Sequence, residues 1–232
     1  MTADGLLERG LLLLRERDPV IDRLIGGSSA EVLALLNKYI EEIELFNPAY
    51  GLVGAKNRQD LVVRHILDSL SALGIMGRLL GTASPAPPLI ADLGSGAGLP
   101  GIPLAVVLSN WPFVLMERSG RRAGFLWNTL AVLGLSNAVV EEEDMEQAAP
   151  ERFGLITFRA FRPLEPAPVK SLFRLLRHGG VLAAYKGRRD TIEAELAGLT
   201  DLEDHLKVEI HPLFVPFLEE ERHLVVLKPR RA

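Results

Sequence analysis

The stretch Leu89-Ile90-Ala91-Asp92-Leu93-Gly94-Ser95-Gly96-Ala97-Gly98-Leu99-Pro100-Gly101 decides the fold of this chain. Its first part is an apolar run of the length of one buried strand, broken by a single acid, Asp92. Its second part has glycine at alternate positions, Gly94, Gly96 and Gly98. A strand that breaks into such a turn and reopens as a helix lets the backbone approach a ligand closely and aims helix N–H groups at it. Glu117 closes the next apolar run, 25 residues after Asp92. The two acids make the pattern more specific than a bare G-x-G, because glycine loops are common.

Downstream of the turn, apolar runs and helical periods alternate. The pattern predicts strands at Leu89–Leu93, Phe113–Glu117, Ala138–Glu142, Gly154–Phe158 and Val181–Tyr185, with helices near Gly101–Leu108, Gly120–Leu133, Pro166–Arg177 and Thr191–Leu199. Strands separated by helices imply a parallel sheet covered on both faces. The end differs: Leu206–Leu213 and His223–Lys228 read as two strands joined through Glu219-Glu220-Glu221. The expected architecture is therefore α/β, Rossmann-like, with a seven-stranded mixed sheet and a closing antiparallel hairpin.

Upstream the chain reads as helical. Residues 1–27 carry a leucine cluster without a clear period and are expected to be loose or partly helical. Ser28-x-x-Glu31 reads as a capping box ahead of an apolar face that includes Val32, Leu36, Tyr39, Ile40 and Ile43. Asn47-Pro48 is expected to stop that helix. After a loop, Gly51–Asn57, Asp60 is expected to cap a second helix with Val63, Ile66, Leu67, Leu70 and Leu73 on one face. The Pro- and Ala-rich stretch Thr82–Pro88 reads as a linker. These signals divide the chain into a helical extension, 1–85, packed on an α/β domain, 86–232.

Composition narrows the chemistry. Nearly half of the 232 residues are apolar, enough for a full core. No apolar run is long enough to span a membrane, and Leu11–Leu14 is too short for a signal-peptide core, so a cytoplasmic protein without a membrane partner is expected. There is no cysteine, which excludes disulfides, cysteine-ligated zinc and a cysteine nucleophile; no metal is expected. Net charge is −4, yet Arg118 to Arg189 holds twelve basic and seven acidic residues, +5 locally against −9 elsewhere. Such a segment reads equally as a phosphate-binding face or as an ordinary solvated surface.

The glycine turn lies past the carboxyl end of its strand, where open α/β sheets bind ligands. With its two acids it resembles the S-adenosylmethionine site of Rossmann-like methyltransferases. The candidate cofactor-binding residues are Asp92, Gly94, Ser95, Gly96, Gly98, Leu99, Glu117, Asp144, Met145 and Arg159. Asp92 would orient the turn or meet the ammonium of the cofactor through water. Glu117 would accept the two ribose hydroxyls, Asp144 the adenine amine, and Met145 would cover the ring. The competing reading makes Glu117 a solvated strand end and Asp144 part of a charged rim with Glu141, Glu142 and Glu143.

Five segments together carry a closer resemblance. They are Val63-Arg64-His65-Ile66-Leu67-Asp68-Ser69, the turn with its continuation Gly98-Leu99-Pro100-Gly101-Ile102-Pro103-Leu104, Arg159-Ala160, Tyr185-Lys186-Gly187, and Glu221-Arg222-His223-Leu224-Val225-Val226. In order and spacing, from about Ser28 onward, they resemble the ribosomal RNA small subunit methyltransferase G family, also called glucose-inhibited division protein B. The resemblance implies methyl transfer from S-adenosylmethionine to N7 of a guanine, with 16S ribosomal RNA or a small ribosomal subunit precursor as partner. It implies that Gly94 and Leu99 line the cofactor site, that the Asp144–Met145 backbone meets adenine, and that Arg159 reaches cofactor or target. The chain departs from the family pattern at Gly51-Leu52-Val53, where an Asn-Leu-Thr type segment is common, at Glu117, where Asp is commoner, and at Glu143, Asp144 and Met145.

The candidate catalytic residues are Arg159, Lys186, Arg64 and His65. Arg64 and Asp68 are spaced i,i+4, as are His65 and Ser69; the cluster reads either as a surface ion pair or as a pocket wall. Phe158-Arg159-Ala160-Phe161-Arg162-Pro163 follows the fourth strand where enzymes that alkylate exocyclic amines carry an Asn/Asp-Pro-Pro-aromatic run. Pyrimidine C5 methylation needs a cysteine. Guanine N7 fits what remains: it has a free lone pair and no proton to remove, so alignment supplies the catalysis. Phe158 or Phe161 would stack the extruded base, Arg159 would bond O6, and Lys186 would meet substrate or a phosphate. Other readings are methylation of a different RNA or a small molecule, a nicotinamide-dependent oxidoreductase, and a non-catalytic RNA-binding protein. A monomer is expected.

Overall fold

The computed structural model describes residues 2–25, 27–81, 87–160, 162–199, 202 and 205–230. The expected linker Thr82–Pro88, with the 85/86 boundary, lies largely outside them, as does Phe161.

The sheet has seven strands: β1 (Ile90–Leu93), β2 (Phe113–Met116), β3 (Ala138–Glu141), β4 (Phe153–Arg159), β5 (Leu176–Lys186), β6 (Leu206–Pro212) and β7 (His223–Pro229). Their order is β3-β2-β1-β4-β5-β7-β6. The first five are parallel, and β7 runs antiparallel between β5 and β6. The chain moves outward from β1 to β3, then returns to the other side of β1 as β4. That reversal opens a crevice at the carboxyl ends of β1 and β4.

Alternation along the strands divides the apolar side chains between two faces. Ile90, Phe113, Leu115, Leu155, Val181 and Ala183 belong to one buried cluster, which also takes in the N-terminal helices. Ala91, Leu93, Val114, Met116, Ile156, Phe158, Leu182 and Ala184 belong to the other. On the first face lie α1 (Ala3–Arg17), α2 (Pro19–Ile25), α3 (Ser29–Tyr50), α4 (Arg58–Leu61), a π-helical segment (Val62–Leu67), α5 (Asp68–Leu70), α6 (Leu73–Leu80), α7 (Gly101–Val107) and α8 (Gly120–Leu133). The second cluster is closed by α9 (Pro166–Leu175) and α10 (Arg189–Ala197). Among the described residues no helix is long and apolar enough to cross a membrane.

The N-terminal part departs from expectation in four places. Residues 3–25 form two helices, more order than the loose or partly helical start expected, because Leu7, Leu11, Leu14, Ile21 and Ile25 all reach the core. Asp18 ends the first, and its carboxylate accepts from the Val20 N–H at 2.9 Å, which starts the second. Ser28 makes no side-chain cap to α3, so the capping box is not formed. That helix runs through Pro48 to Tyr50 and ends at Gly51, whose φ of 59° gives a left-handed stop. Asn57, not Asp60, caps the next helix: its side-chain oxygen accepts from the Asp60 N–H at 2.8 Å. That helix also widens to π geometry over Val62–Leu67, a device common at functional sites.

Candidate functional site

The crevice begins with the glycine turn. The Gly94 and Ser95 N–H groups donate to the Met116 carbonyl at 2.9 and 3.1 Å, fastening the turn to the end of β2. Gly94, Gly96 and Gly98 have φ of 65°, 59° and 89°, a region L side chains rarely adopt. Gly94 and Gly96 are partly exposed, so backbone faces the crevice there. Gly98 is buried: an added Cβ would meet Ile102 Cδ1 at 2.4 Å. It shapes the turn and does not line the crevice, a correction to its reading as a cofactor contact.

Asp92 takes the first of the two roles expected of it, orienting the turn. It is 0 % exposed, and one carboxylate oxygen accepts from the Ser95 hydroxyl at 2.6 Å and from the Gly101 N–H at 2.9 Å. The other oxygen has no hydrogen-bond partner among the described residues. Burial pushes its pKa up to about 7, against the two hydrogen bonds. Of the two roles read for it, the structure gives Asp92 that of a brace joining strand, turn and helix. Ser95 lines the crevice, but its hydroxyl is turned to Asp92. Tyr39 of α3 donates its hydroxyl to the Ala97 carbonyl at 2.7 Å, so the N-terminal helices also hold the turn.

The crevice has two lobes that share Gly94, Arg122 and Ala160. The smaller, about 290 Å³, is lined by Glu117, Asp144, Met145, Glu143 and Arg118. The Glu117 carboxylate accepts from the Gly96 N–H on one oxygen and the Ser119 N–H on the other, each at 2.9 Å. It is tied to the turn yet still borders the lobe. Asp144 lies 3.6 Å from the Arg118 guanidinium.

The larger lobe, about 700 Å³, contains Leu99, Arg64, His65, Asp68, Arg159, Lys186 and Arg222 among its walls. Arg159 ends β4 and is its hub. Its Nη1 donates to the Arg64 carbonyl and to Asp68 Oδ2, both at 2.9 Å, and its Nη2 to His65 Nδ1, also at 2.9 Å. Arginine can only donate, so His65 Nδ1 carries no proton. Burial and the Arg159 charge lower the His65 pKa to about 4. The imidazole is therefore neutral and committed to holding Arg159; His65 stands in the pocket wall, one of the two readings of its cluster, and positions Arg159.

The expected Arg64–Asp68 pair is not made. The π segment changes the rotation per residue, so the two side chains part. Arg64 pairs with Asp60 at 2.8 Å and with Glu220, and it is the Arg64 carbonyl that serves Arg159. Asp68, 4 % exposed, lies between two guanidinium groups: Arg159 on Oδ2 at 2.9 Å and Arg222 Nε 3.5 Å from Oδ1. Neither Asp68 nor Arg222 was among the candidate site residues. The Asp-Ser pair of the 64–69 segment and the Glu-Arg-His run before β7 were the available signals. Lys186 Nζ donates to Glu195 at 2.6 Å and to the Arg162 carbonyl at 3.3 Å, and Glu195 also accepts from the Leu164 N–H at 2.8 Å. Lys186 thus ties β5 to α10 and the loop after β4. Phe158 is 1 % exposed, a core residue that cannot stack on a ligand.

The basic segment is also changed by the fold. Arg118, Arg152, Arg159, Arg162, Lys186, Arg188 and Arg189 pair with carboxylates, and Arg174 caps the carbonyls of Met145, Glu146 and Ala148. Arg122 lines both lobes and makes no ion pair among the described residues. The segment is not a continuous free cationic face. Among the described residues no cluster could hold a metal ion.

A family model described as GidB, rRNA small subunit methyltransferase G, matches residues 32–225. The chain belongs to that family. A family member from Treponema pallidum, named ribosomal RNA small subunit methyltransferase G, is 41 % identical over 198 residues, 84 % of each chain. One of the same name from Nitrosococcus oceani is 36 % identical over 232 residues, 99 % of this chain and 96 % of the other. In fold the chain is similar to a solved structure of a predicted O-methyltransferase from Agrobacterium tumefaciens, with a TM-score of 0.50 and 21 % identity over 72 % of this chain and 81 % of that one. Membership of that family makes this an S-adenosylmethionine-dependent methyltransferase. The matched residues contain the turn, the π segment, Arg159, Lys186 and Arg222.

Proposed function

We propose that this protein methylates N7 of a guanine in 16S ribosomal RNA, working in the cytoplasm on the RNA or on a small-subunit precursor. The observation that carries the reading is a two-lobed crevice with an acid-edged glycine turn on one side and a guanidinium held by three protein acceptors on the other. The lining suits the cofactor: partly exposed backbone at Gly94 and Gly96, whose N–H groups are already held by Met116 and Glu117, a carboxylate at Glu117, and Met145 as apolar cover beside Asp144. These residues with Leu99 would hold S-adenosylmethionine. When bound, that group supplies a methyl on a sulfonium sulfur.

The chain's own residues then have limited tasks. Arg159 has five N–H groups, of which three are engaged by Arg64, Asp68 and His65. Two remain for an acceptor in the cavity, and guanine O6 suits them. The N7 lone pair needs no base, in keeping with a His65 that offers none. Lys186 and Glu195 position the loop after β4, and Arg64 positions Arg159 through its carbonyl. Orientation is the main contribution, as expected where both reactants arrive fully activated.

The test is incubation with labelled S-adenosylmethionine and ribosomal RNA, free or in small subunits, from cells lacking this protein. Label at N7 of one guanine of the small-subunit RNA is the expected result. Label on another base, or a melting temperature raised by NADH and not by S-adenosylmethionine, overturns the reading.

A further inference from the structure

Between β6 and β7 the chain turns at Val215-Pro216-Phe217-Leu218, closed by the Leu218 N–H donating to the Val215 carbonyl at 3.2 Å. Proline at the second position is usual in turns. The third residue is not usual: Phe217 has a φ of 67°, where turns with proline at the second position favour glycine or asparagine. A bulky side chain held there is an outlier, and such strain clusters at binding sites.

Core packing does not repay the strain. Val215 and Pro216 are buried and Leu218 packs on the core, but Phe217 is 45 % exposed. The nearby exposed Phe214 is covered by the Arg17 guanidinium, 4.5 Å from its centroid. Among the described residues no ring or cation stacks on Phe217.

Phe217 walls a groove of about 750 Å³ with Leu6, Val63, Lys56 and Asn57. Arg64 lines this groove and also the larger lobe of the crevice, so the two share that wall. The groove's charged residues are Lys56 and Arg64 against Asp60, Glu219 and Glu220, a formal −1. Asp60 and Glu220 already hold Arg64. A phosphate is disfavoured there; a neutral, flat aromatic group is not.

We propose that Phe217 is a stacking platform for a nucleobase of the RNA, one adjoining the guanine in the crevice. The proposal rests on the ribosomal RNA reading above. Extruding a base breaks stacking on its neighbours, and an aromatic side chain replaces that stacking whatever the base. The groove thus serves as a second nucleobase subsite.

Three measurements on Phe217→Gly and Phe217→Tyr test this: thermal stability, S-adenosylmethionine affinity by calorimetry, and affinity for the RNA. Glycine suits the backbone, so Phe217→Gly is expected to melt no lower than the wild type and to keep its cofactor affinity. RNA binding should weaken at least about fivefold, the lower end for loss of one stacked base, and Phe217→Tyr should restore it. Unchanged RNA affinity overturns the proposal. So does a loss that Tyr fails to restore, or a parallel fall in stability and cofactor affinity, which marks a structural prop. If the wild type itself methylates no ribosomal RNA, the underlying reading fails; if it does and Phe217→Gly binds RNA normally, only this inference fails.

Discussion

The two sides of the crevice are built by different means. The side formed by Gly94 to Gly101 is backbone held mainly by local contacts: Asp92, Ser95, Gly101 and the Met116 carbonyl all lie within one strand–turn–helix unit and its neighbouring strand, with Tyr39 added from α3. The side around Arg159 is a web of the side chains at sequence positions 65, 68, 159 and 222 with the backbone carbonyl of Arg64. The first depends on what glycine lacks. The second depends on charge and hydrogen-bond direction. Substitutions should therefore damage them differently, one through space and the other through alignment.

The largest expected effect is on the backbone side. Gly98→Val places a branched side chain where even a Cβ lies 2.4 Å from Ile102. Overpacking and a disallowed φ together, each about 1–3 kcal/mol, predict a roughly hundredfold or greater loss of S-adenosylmethionine affinity by calorimetry. Retained affinity would mean the turn tolerates distortion and the contrast is false.

On the side-chain wall, Arg159→Ala is expected to slow single-turnover methyl transfer about a hundredfold through lost alignment, leaving cofactor affinity nearly unchanged. Asp68→Asn loses one charge-assisted bond and should cost about tenfold. In the Arg159→Ala background Asp68→Asn should cost little more, since the two act as a unit. Full additivity in that cycle would detach Asp68 from Arg159.

The smallest effect is a pair of opposite pH responses. His65 titrates near 4 in the folded state, below its ordinary 6.5. The stability associated with its neutral form is present above 6.5 and is lost as pH falls toward 4. Asp92 titrates near 7, above its ordinary 3.8. Its contribution is intact below 3.8 and is lost as pH rises through 7. Relative to wild type, His65→Gln should gain melting temperature toward acid and Asp92→Asn toward neutral pH, by a few degrees at about 2–4 °C per kcal/mol. Shifts of the same sign for both would contradict the two environments.

The same contrast explains what could be read from the sequence. Strand positions, the parallel arrangement and the closing hairpin were legible because apolar alternation and glycine spacing are local, except that β5 starts at Leu176, five residues before the expected Val181. Helix Gly120–Leu133 and strand Ala138–Glu141 were placed within a residue of their bounds. The turn was legible for the same reason, although Asp92 and Gly98 could not be distinguished from residues facing the crevice without knowing which way they are buried. Asp68 between two arginines was not legible, because no local pattern announces that residues 68, 159 and 222 will meet. The basic segment misled for the converse reason: a charge count ignores the carboxylates that the fold brings to each arginine.

Val62–Leu67 adopts a wider helical winding than its flanks. Six residues in that winding advance the chain less, and through a different arc, than six in an ordinary helix. A codon gained or lost there would rephase every later side chain of the helix, carrying the Asp68 carboxylate off the guanidinium it meets. This stretch can therefore tolerate exchange of residues more readily than any change in their number.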